Sequence, residues 1–473
     1  MLNLRPTVVR PALGSRNPPL YVCGAVKQAM PNYRQLSPAR QPLFAPPSMD
    51  DEELGSDDEE CAVYVGRDGK FVEVMCCDYG YRAGSGRMYN TDSGTIPMSG
   101  VQMAVENFVD ELACLRRSFR KDDYGPVAAK AAPHPGIVRQ GFNLLGRGLT
   151  RLVAAADRSL EWLHLLPKLD EEAGQLPGTV RQGNVVKRSV GEECAEVWPL
   201  SCAPSHTMTS TSMGCDCSTS VQIRQRLSRL ILSNHAVSER ERVREAIGGK
   251  VEAPWYVRGV YNILCLLIDV LFENRPIQRF WFLETVARMP YFSYISCLHL
   301  YESLGWWRAA AELRKIHFAE EWNELHHLQI MESLGGDQLW FDRFVGYHSA
   351  IVYYWVLVLL YVASPSLAYT FSELLEAHAV DTYGEFLDAN EPLLKSLAPP
   401  LVAAEYYRSC DLYLFDEFQT SNATPRTPPL ENLYDVFCAI KEDEGEHVKT
   451  MHACVDSSLV AGLAARKDLP RRV

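Results

Sequence analysis

R-F-W-F-L-E-T-V-A-R-M-P, residues 279–290, decides the fold, because segments of the same character recur three times further along the chain. They are W-N-E-L-H-H-L (322–328), S-E-L-L-E-A-H-A-V-D-T-Y (372–383) and K-E-D-E-G-E-H-V-K-T (441–450). The first and third offer Glu284 and Glu376; the second and fourth offer Glu324 with His327 and Glu444 with His447. Residues three apart lie on one face of a helix, so each Glu-x-x-His presents an oxygen and an imidazole nitrogen together. One such match is expected by chance, and Glu161-Trp162-Leu163-His164 serves as the control. What distinguishes the others is their order: Glu, Glu-x-x-His, Glu, Glu-x-x-His, each in an amphipathic segment.

That set is the ligand pattern of a ferritin-like four-helix bundle holding two non-haem iron ions. Carboxylates bridge and charge-balance a pair of irons, and few nitrogen ligands leave positions open for dioxygen. The fold expected is mainly α: this bundle plus two extra membrane-surface helices, preceded by a small α+β or disordered N-terminal region. Helices are expected over 277–304, 306–333, 338–362, 367–389 and 431–454, with an apolar one over 256–272. Gly305, Gly335-Gly336 and Pro365 punctuate them, and Pro392, Pro399 and Pro400 mark a longer connection that includes residues 406–430.

Residues 344–372 contain no Asp, Glu, Lys or Arg, long enough to raise a spanning helix. A single crossing would separate the segment of Glu324 and His327 from that of Glu376 across the bilayer, so they could not share a site. Two apolar helices lying in one leaflet, around 256–272 and 338–362, fit better.

The 473 residues carry a net charge of -12, which disfavours nucleic acid as a partner. Residues 1–48 are basic, proline-rich and free of Asp and Glu, as in an organellar transit peptide. Acidic runs at 50–53 and 57–60 follow, then a hairpin over 62–74 turning at Gly66–Gly69. An amphipathic helix over 101–119 places Val105, Phe108, Val109, Leu112 and Leu115 near one face. Further helices read over 143–166 and 221–247, the latter basic and suited either to an anionic membrane or to packing on the main domain. The 14 cysteines are dispersed and read as reduced thiols, with Cys76-Cys77 and Cys215-x-Cys217 only faint metal signals. The resulting division is 1–48 transit, 49–250 of unassigned role, 251–456 metal domain and 457–473 tail.

Across roughly 254–454 the chain resembles the alternative oxidase family, and its plastid branch most closely. The stretches that carry this are R-F-W-F-L-E-T-V-A-R-M-P-Y-F, G-W-W-R, F-A-E-E-W-N-E-L-H-H-L-Q-I-M-E, D-L-Y-L-F-D-E-F-Q-T and E-N-L-Y-D-V-F. The resemblance implies that Glu284, Glu324, His327, Glu376, Glu444 and His447 are iron ligands. It places Tyr383 at the family's redox-active tyrosine, Arg279, Leu283, Ala379 and Thr382 along its quinol pocket, and Asn323 and Asp443 just outside the ligands. Mitochondrial members often read L-E-E-E-A-V where this chain has L-E-A-H-A-V, so His378 departs from them and is read as packed or hydrogen-bonded.

The implied activity is a membrane-bound plastoquinol:oxygen oxidoreductase, reducing O2 to water with electrons from two quinols. The implied setting is one leaflet of the chloroplast thylakoid membrane, on its stromal side, as a homodimer or higher homo-oligomer. A lipid hydroxylase or desaturase is the runner-up on the same metal chemistry. An iron-storage protein and an inactive relative that binds a partner are the remaining classes.

Overall fold

A computed structural model describes residues 62–65, 71–75, 99–121, 123, 137–169, 220–307, 310–408 and 428–456. The expected transit segment, acidic runs, hairpin turn, both cysteine pairs, all of D-L-Y-L-F-D-E-F-Q-T and the tail after 456 lie outside the described residues. Cys114, Cys265, Cys297, Cys438 and Cys454, within them, are free thiols.

Four long helices make the bundle: α6 (Pro276–Ser303), α7 (Ala310–Ser333), α9 (Pro365–Leu394) and α11 (Leu433–Val455). α6 packs on α7 and α9 on α11. Local chemistry sets their limits. Ser364 caps α9, accepting from the Leu367 amide (3.4 Å), with Pro365 pre-set for the first turn. Asn432 caps α11, accepting from the Asp435 amide at 3.1 Å. Gly335 turns the chain after α7 with a left-handed φ of 85°. Gly336 beside it lies so close to Trp281 that an added Cβ would sit 2.3 Å from the Trp281 Cβ. Trp281, Phe280, Phe386, Phe437 and Ile440 fill the core around these packings.

Two apolar helices flank the bundle, α5 (Trp255–Leu271) and α8 (Trp340–Ala363). α8 packs on α6 and α9, and α5 on α9. Only 22% of the most apolar window of α8 is buried. Ile351, Val352, Trp355 and Leu359 of α8 are exposed, as are Ile263, Leu266 and Val270 of α5.

The hairpin forms from β1 (Ala62–Val65) and β2 (Phe71–Val74), antiparallel with Ala62 opposite Val74. Val72, Val74 and Met75 join the core, and the Met75 amide donates to Pro399 O (2.9 Å) beside the short helix α10 (Leu401–Arg408). Residues 401–408, expected in part as connection, are therefore helical.

Other expectations need correction. The helix over 221–247 is broken into α3 (Ser220–Leu227) and α4 (Asn234–Arg244), followed by a wide helical turn at Glu245–Gly249. Two of its basic residues, Arg240 and Arg244, face the protein, while Arg242 stays exposed. Arg244 pairs with Asp381 at 2.8 Å and Arg240 with Asp388, while Asn390 holds Ile231 O and N at 2.8 and 2.9 Å. That docking accompanies the continuation of α9 through Pro392, where the sequence suggested a stop.

α1 (Gly100–Lys121) does not bury the face its periodicity marked: Val105, Phe108, Val109 and Leu112 are exposed. Ion pairs with α2 (Ile137–Trp162) orient it instead. Arg116 contacts Asp157 at 2.7 Å and Glu161 at 3.3 Å, and Arg120 contacts both. Glu161 of the control Glu-x-x-His is thus an ion-pair residue, and His164 lies past the helix with φ 57°. α1 also reaches α8: Glu111 forks onto the Arg343 guanidinium at 2.9 and 3.0 Å, and that side chain is 2% exposed.

Removing one partner of a buried pair leaves a desolvated charge. Glu111→Ala is expected to cost about 2 kcal/mol, read as a lower thermal unfolding midpoint. An unchanged midpoint would show that α1 is not part of the stable fold.

Candidate metal centre

Glu284, Glu324, His327, Glu376, Glu444 and His447 meet in the middle of the bundle, each 4% exposed or less. Their ligand atoms form two groups, each with all members within 4.8 Å of one another. One is Glu284, Glu324, His327 and Glu444; the other is Glu324, Glu376, Glu444 and His447. Glu324 and Glu444 belong to both, so they stand where bridging carboxylates would. His447 Nδ1 is 2.8 Å from Glu324 Oε1, and His327 Nδ1 is 3.2 Å from Glu444 Oε1.

Buried polar atoms normally find partners. Here both oxygens of Glu324, Oε2 of Glu284 and Nδ1 of His327 have no hydrogen bond of good geometry. Burial, with Glu324 beside it, pushes the Glu284 carboxyl well above its usual range; burial and Glu444 do the same to Glu376. Burial would also raise Glu324, but His327 and His447 hold it below that range. Acceptors crowded together, apolar surroundings and a deficit of positive charge are what a pair of cations would relieve. The donor set fits two iron ions.

The shell around the centre fixes its ligands. Asp443 accepts from Asn323 Nδ2 (3.0 Å) and Tyr407 Oη (2.9 Å), and lies 3.2 Å from His327 Nε2. Assigned from these partners, Nε2 carries the proton and Nδ1 presents its lone pair to the carboxylates. Asn323 also donates to Tyr406 Oη at 2.7 Å. The Tyr383 hydroxyl donates to Glu284 Oε1, and its ring stacks on Phe280 with centroids 4.3 Å apart. Burial and Glu284 push that hydroxyl far above its normal range, so it is a firm donor.

Arg279, which the resemblance places along the quinol pocket, is only 1% exposed. Asn274, with φ 57°, turns the chain between α5 and α6, and Arg279 Nη1 donates to Asp269 and Asn234, each at 2.7 Å. Its Nη2 faces His378 Nε2 at 3.3 Å, while Nε has no partner. His378 Nδ1 lies 3.1 Å from Tyr261 Oη, which donates to Glu241 at 2.8 Å. The departing His378 is thus hydrogen-bonded at both nitrogens. Leu283, one turn beyond Arg279, and Ala379 are half-buried; Thr382 is buried and donates to His378 O at 2.8 Å.

Sequence reasoning missed Tyr261, Tyr291, Tyr406 and Tyr407. The signal for Tyr291 was present: it follows Glu284 by the seven residues that separate Tyr383 from Glu376.

Glu324→Ala should cut iron binding below one ion per chain, and two retained irons would refute the shared-ligand geometry. Because Glu284 and Glu376 hold protons more tightly than free carboxyls, ferrous iron should displace protons as it binds near neutral pH. Calorimetry in buffers of different ionisation heat reads that release; no buffer dependence would contradict it.

Residues 252–456 match the family described as Alternative oxidase. The chain is 56% identical over 190 residues to Ubiquinol oxidase 4, chloroplastic/chromoplastic, of Arabidopsis thaliana, covering 40% of this chain and 54% of that one. It is 29% identical over 202 residues to the mitochondrial ubiquinol oxidase of Mangifera indica, covering 41% and 55%. With the mitochondrial ubiquinol oxidase 2 of Arabidopsis thaliana it shares 28% over 204 residues, covering 42% and 50%. The chain spans about half the length of these curated relatives. The match and the paired Glu and His sets coincide on the same helices, and residues 252–456 form an alternative oxidase family domain.

Proposed function

We propose that the chain is a plastid quinol:oxygen oxidoreductase that passes the electrons of two plastoquinols to O2, giving two quinones and two waters. The observation that carries this is the pair of metal-ligand groups sharing Glu324 and Glu444 within an alternative oxidase domain. The 56% identity to a chloroplastic and chromoplastic oxidase, against 29% or less to the mitochondrial ones named above, supports plastoquinol and a plastid location. We place the enzyme on the stromal side of the thylakoid membrane. The domain match favours an oxidase over a hydroxylase or desaturase.

Glu284, Glu324, His327 and Glu444 would hold one iron, and Glu324, Glu376, Glu444 and His447 the other. Bound there, the two ions would supply paired-electron redox chemistry and Lewis acidity for O2 reduction. The chain does the rest. Aromatic packing by Phe280, Phe386 and Phe437 excludes water. Asp443 orients His327. Tyr383, joined to Glu284, is placed to give up a proton and an electron and to recover both from a quinol. Arg279 is held by Asp269 and Asn234 beside His378, with Nε left to meet a quinol oxygen. Leu283, Ala379 and Thr382 would line the path to it.

A lipid-soluble substrate must enter from the membrane, and the exposed apolar faces of α5 and α8 suit one leaflet. Both lie against the bundle that carries the ligands, which supports in-plane binding over a crossing.

The test is oxygen uptake by the membrane-bound, iron-loaded chain with a plastoquinol analogue. Uptake is expected at one O2 per two quinols, without an oxygenated product; uptake tied to product hydroxylation would overturn the oxidase reading. Tyr383→Phe should keep both irons and lose at least tenfold in kcat, on the order expected when a proton-transfer group is removed. Normal turnover with iron bound would remove its redox role. Salt washing should leave the chain on membranes that detergent strips, and release by salt alone would exclude insertion.

A further inference from the structure

Glu284 on α6 and Glu376 on α9 are the carboxylates that the two bundle helices without a Glu-x-x-His bring to the metal-ligand groups. Each is followed seven residues later by a tyrosine, Tyr291 and Tyr383. Seven residues make about two turns, so each tyrosine lies on the face of its own glutamate. Yet the hydrogen bonds cross between helices. The Tyr383 hydroxyl from α9 donates to Glu284, and the Tyr291 hydroxyl from α6 donates to Glu376 Oε1 at 2.8 Å.

The same exchange of halves relates the two ligand groups: Glu284 with Glu376, His327 with His447, Glu324 with Glu444. The centre therefore has an approximate two-fold relation among its side chains, and Tyr291 occupies the place equivalent to Tyr383. Tyr291 is fully buried, 0% exposed, in the body of the fold.

We propose that Tyr291 is a positioning residue for the metal centre, its phenol holding Glu376 as a terminal ligand of one ion as Tyr383 holds Glu284 at the other. A phenol donating to a carboxylate makes a strong, directional bond that occupies one lone-pair region of one oxygen and fixes the plane of the group. Without it, Glu376 would be free to rotate toward Glu444 and to bind its ion less selectively. The surroundings of the two tyrosines differ. Tyr383 lies flat on Phe280 at an interplanar angle of 6°. Tyr291 meets the His447 ring edge-on, at 62° with centroids 5.5 Å apart. Tyr291 thus packs against one of the ligand imidazoles while donating to a ligand carboxylate, which assigns it to ligand geometry.

This inference rests on the two-iron reading of the centre, and the experiment separates their failures. The full chain is loaded with iron-57 as wild type, Tyr291→Phe, Tyr383→Phe and the double variant, and Mössbauer spectra are recorded with iron counts. Each single variant should move about half of the iron signal, and the double variant nearly all of it. Tyr291→Phe should also weaken iron retention against a chelator by about 10–100-fold, the usual effect of losing an outer partner of a ligand. Its kcat should fall while the KM for quinol holds. Two irons in every protein with an unmoved signal in Tyr291→Phe would overturn the inference alone. A wild type without iron would overturn both. If Tyr291→Phe does not fold, 3-fluorotyrosine at position 291 retains the shape and the donor and should still shift half of the signal; no shift there overturns the inference as well.

Discussion

Four carboxylates buried within a few ångströms of one another set the terms for the rest of the structure. Such a cluster is unfavourable in an apolar interior unless positive charge enters with it. Two imidazoles offset part of the repulsion, which is why Glu324 stays acidic while Glu284 and Glu376 do not. The remaining demand for cations is what suits the site to metal ions. The helices meet it mechanically: α6 with α7 and α9 with α11 form two rigid pairs, and each pair contributes one Glu and one Glu-x-x-His. Asp443, Asn323, Tyr406 and Tyr407 hold the imidazole of His327 from behind, and tyrosines hold the terminal carboxylates.

Much of this was legible in the sequence because its signals are local. Spacing of three on a helix brings Glu324 to His327 and Glu444 to His447, and the order of the four segments gave the bundle. Helix limits at Ser364-Pro365 and Asn432 follow from capping chemistry that neighbouring residues supply. Contacts set by distant segments were not legible. Nothing near Arg279 in the sequence announces Asn234, Asp269 and His378, brought from three other places to close around it. The face of Val105, Phe108 and Leu112 reads as core until the Arg116 and Arg120 pairs with α2 turn it outward. Pro392 reads as a helix stop, but one lost backbone bond is tolerated where Asn390 anchors the chain after α3 to α9.

The segments before residue 252 are more than a leader to the oxidase domain. Glu111 neutralises a buried arginine of α8, Met75 bonds to the backbone before α10, and α4 lays its arginines on α9. The contacts of Glu111 and of α4 end on α8, which has the apolar outer face, and on α9, which carries Glu376. Stability of the centre and integrity of the N-terminal half are therefore coupled, although only the second half matches the family.

The most direct measurement is an anomalous difference map at the iron edge from crystals of the iron-loaded chain. Two peaks are expected, both in contact with Glu324 and Glu444, one flanked by Glu284 and His327 and the other by Glu376 and His447. A single peak, or a pair lying away from those shared carboxylates, would contradict the two-iron centre on which the oxidase assignment stands.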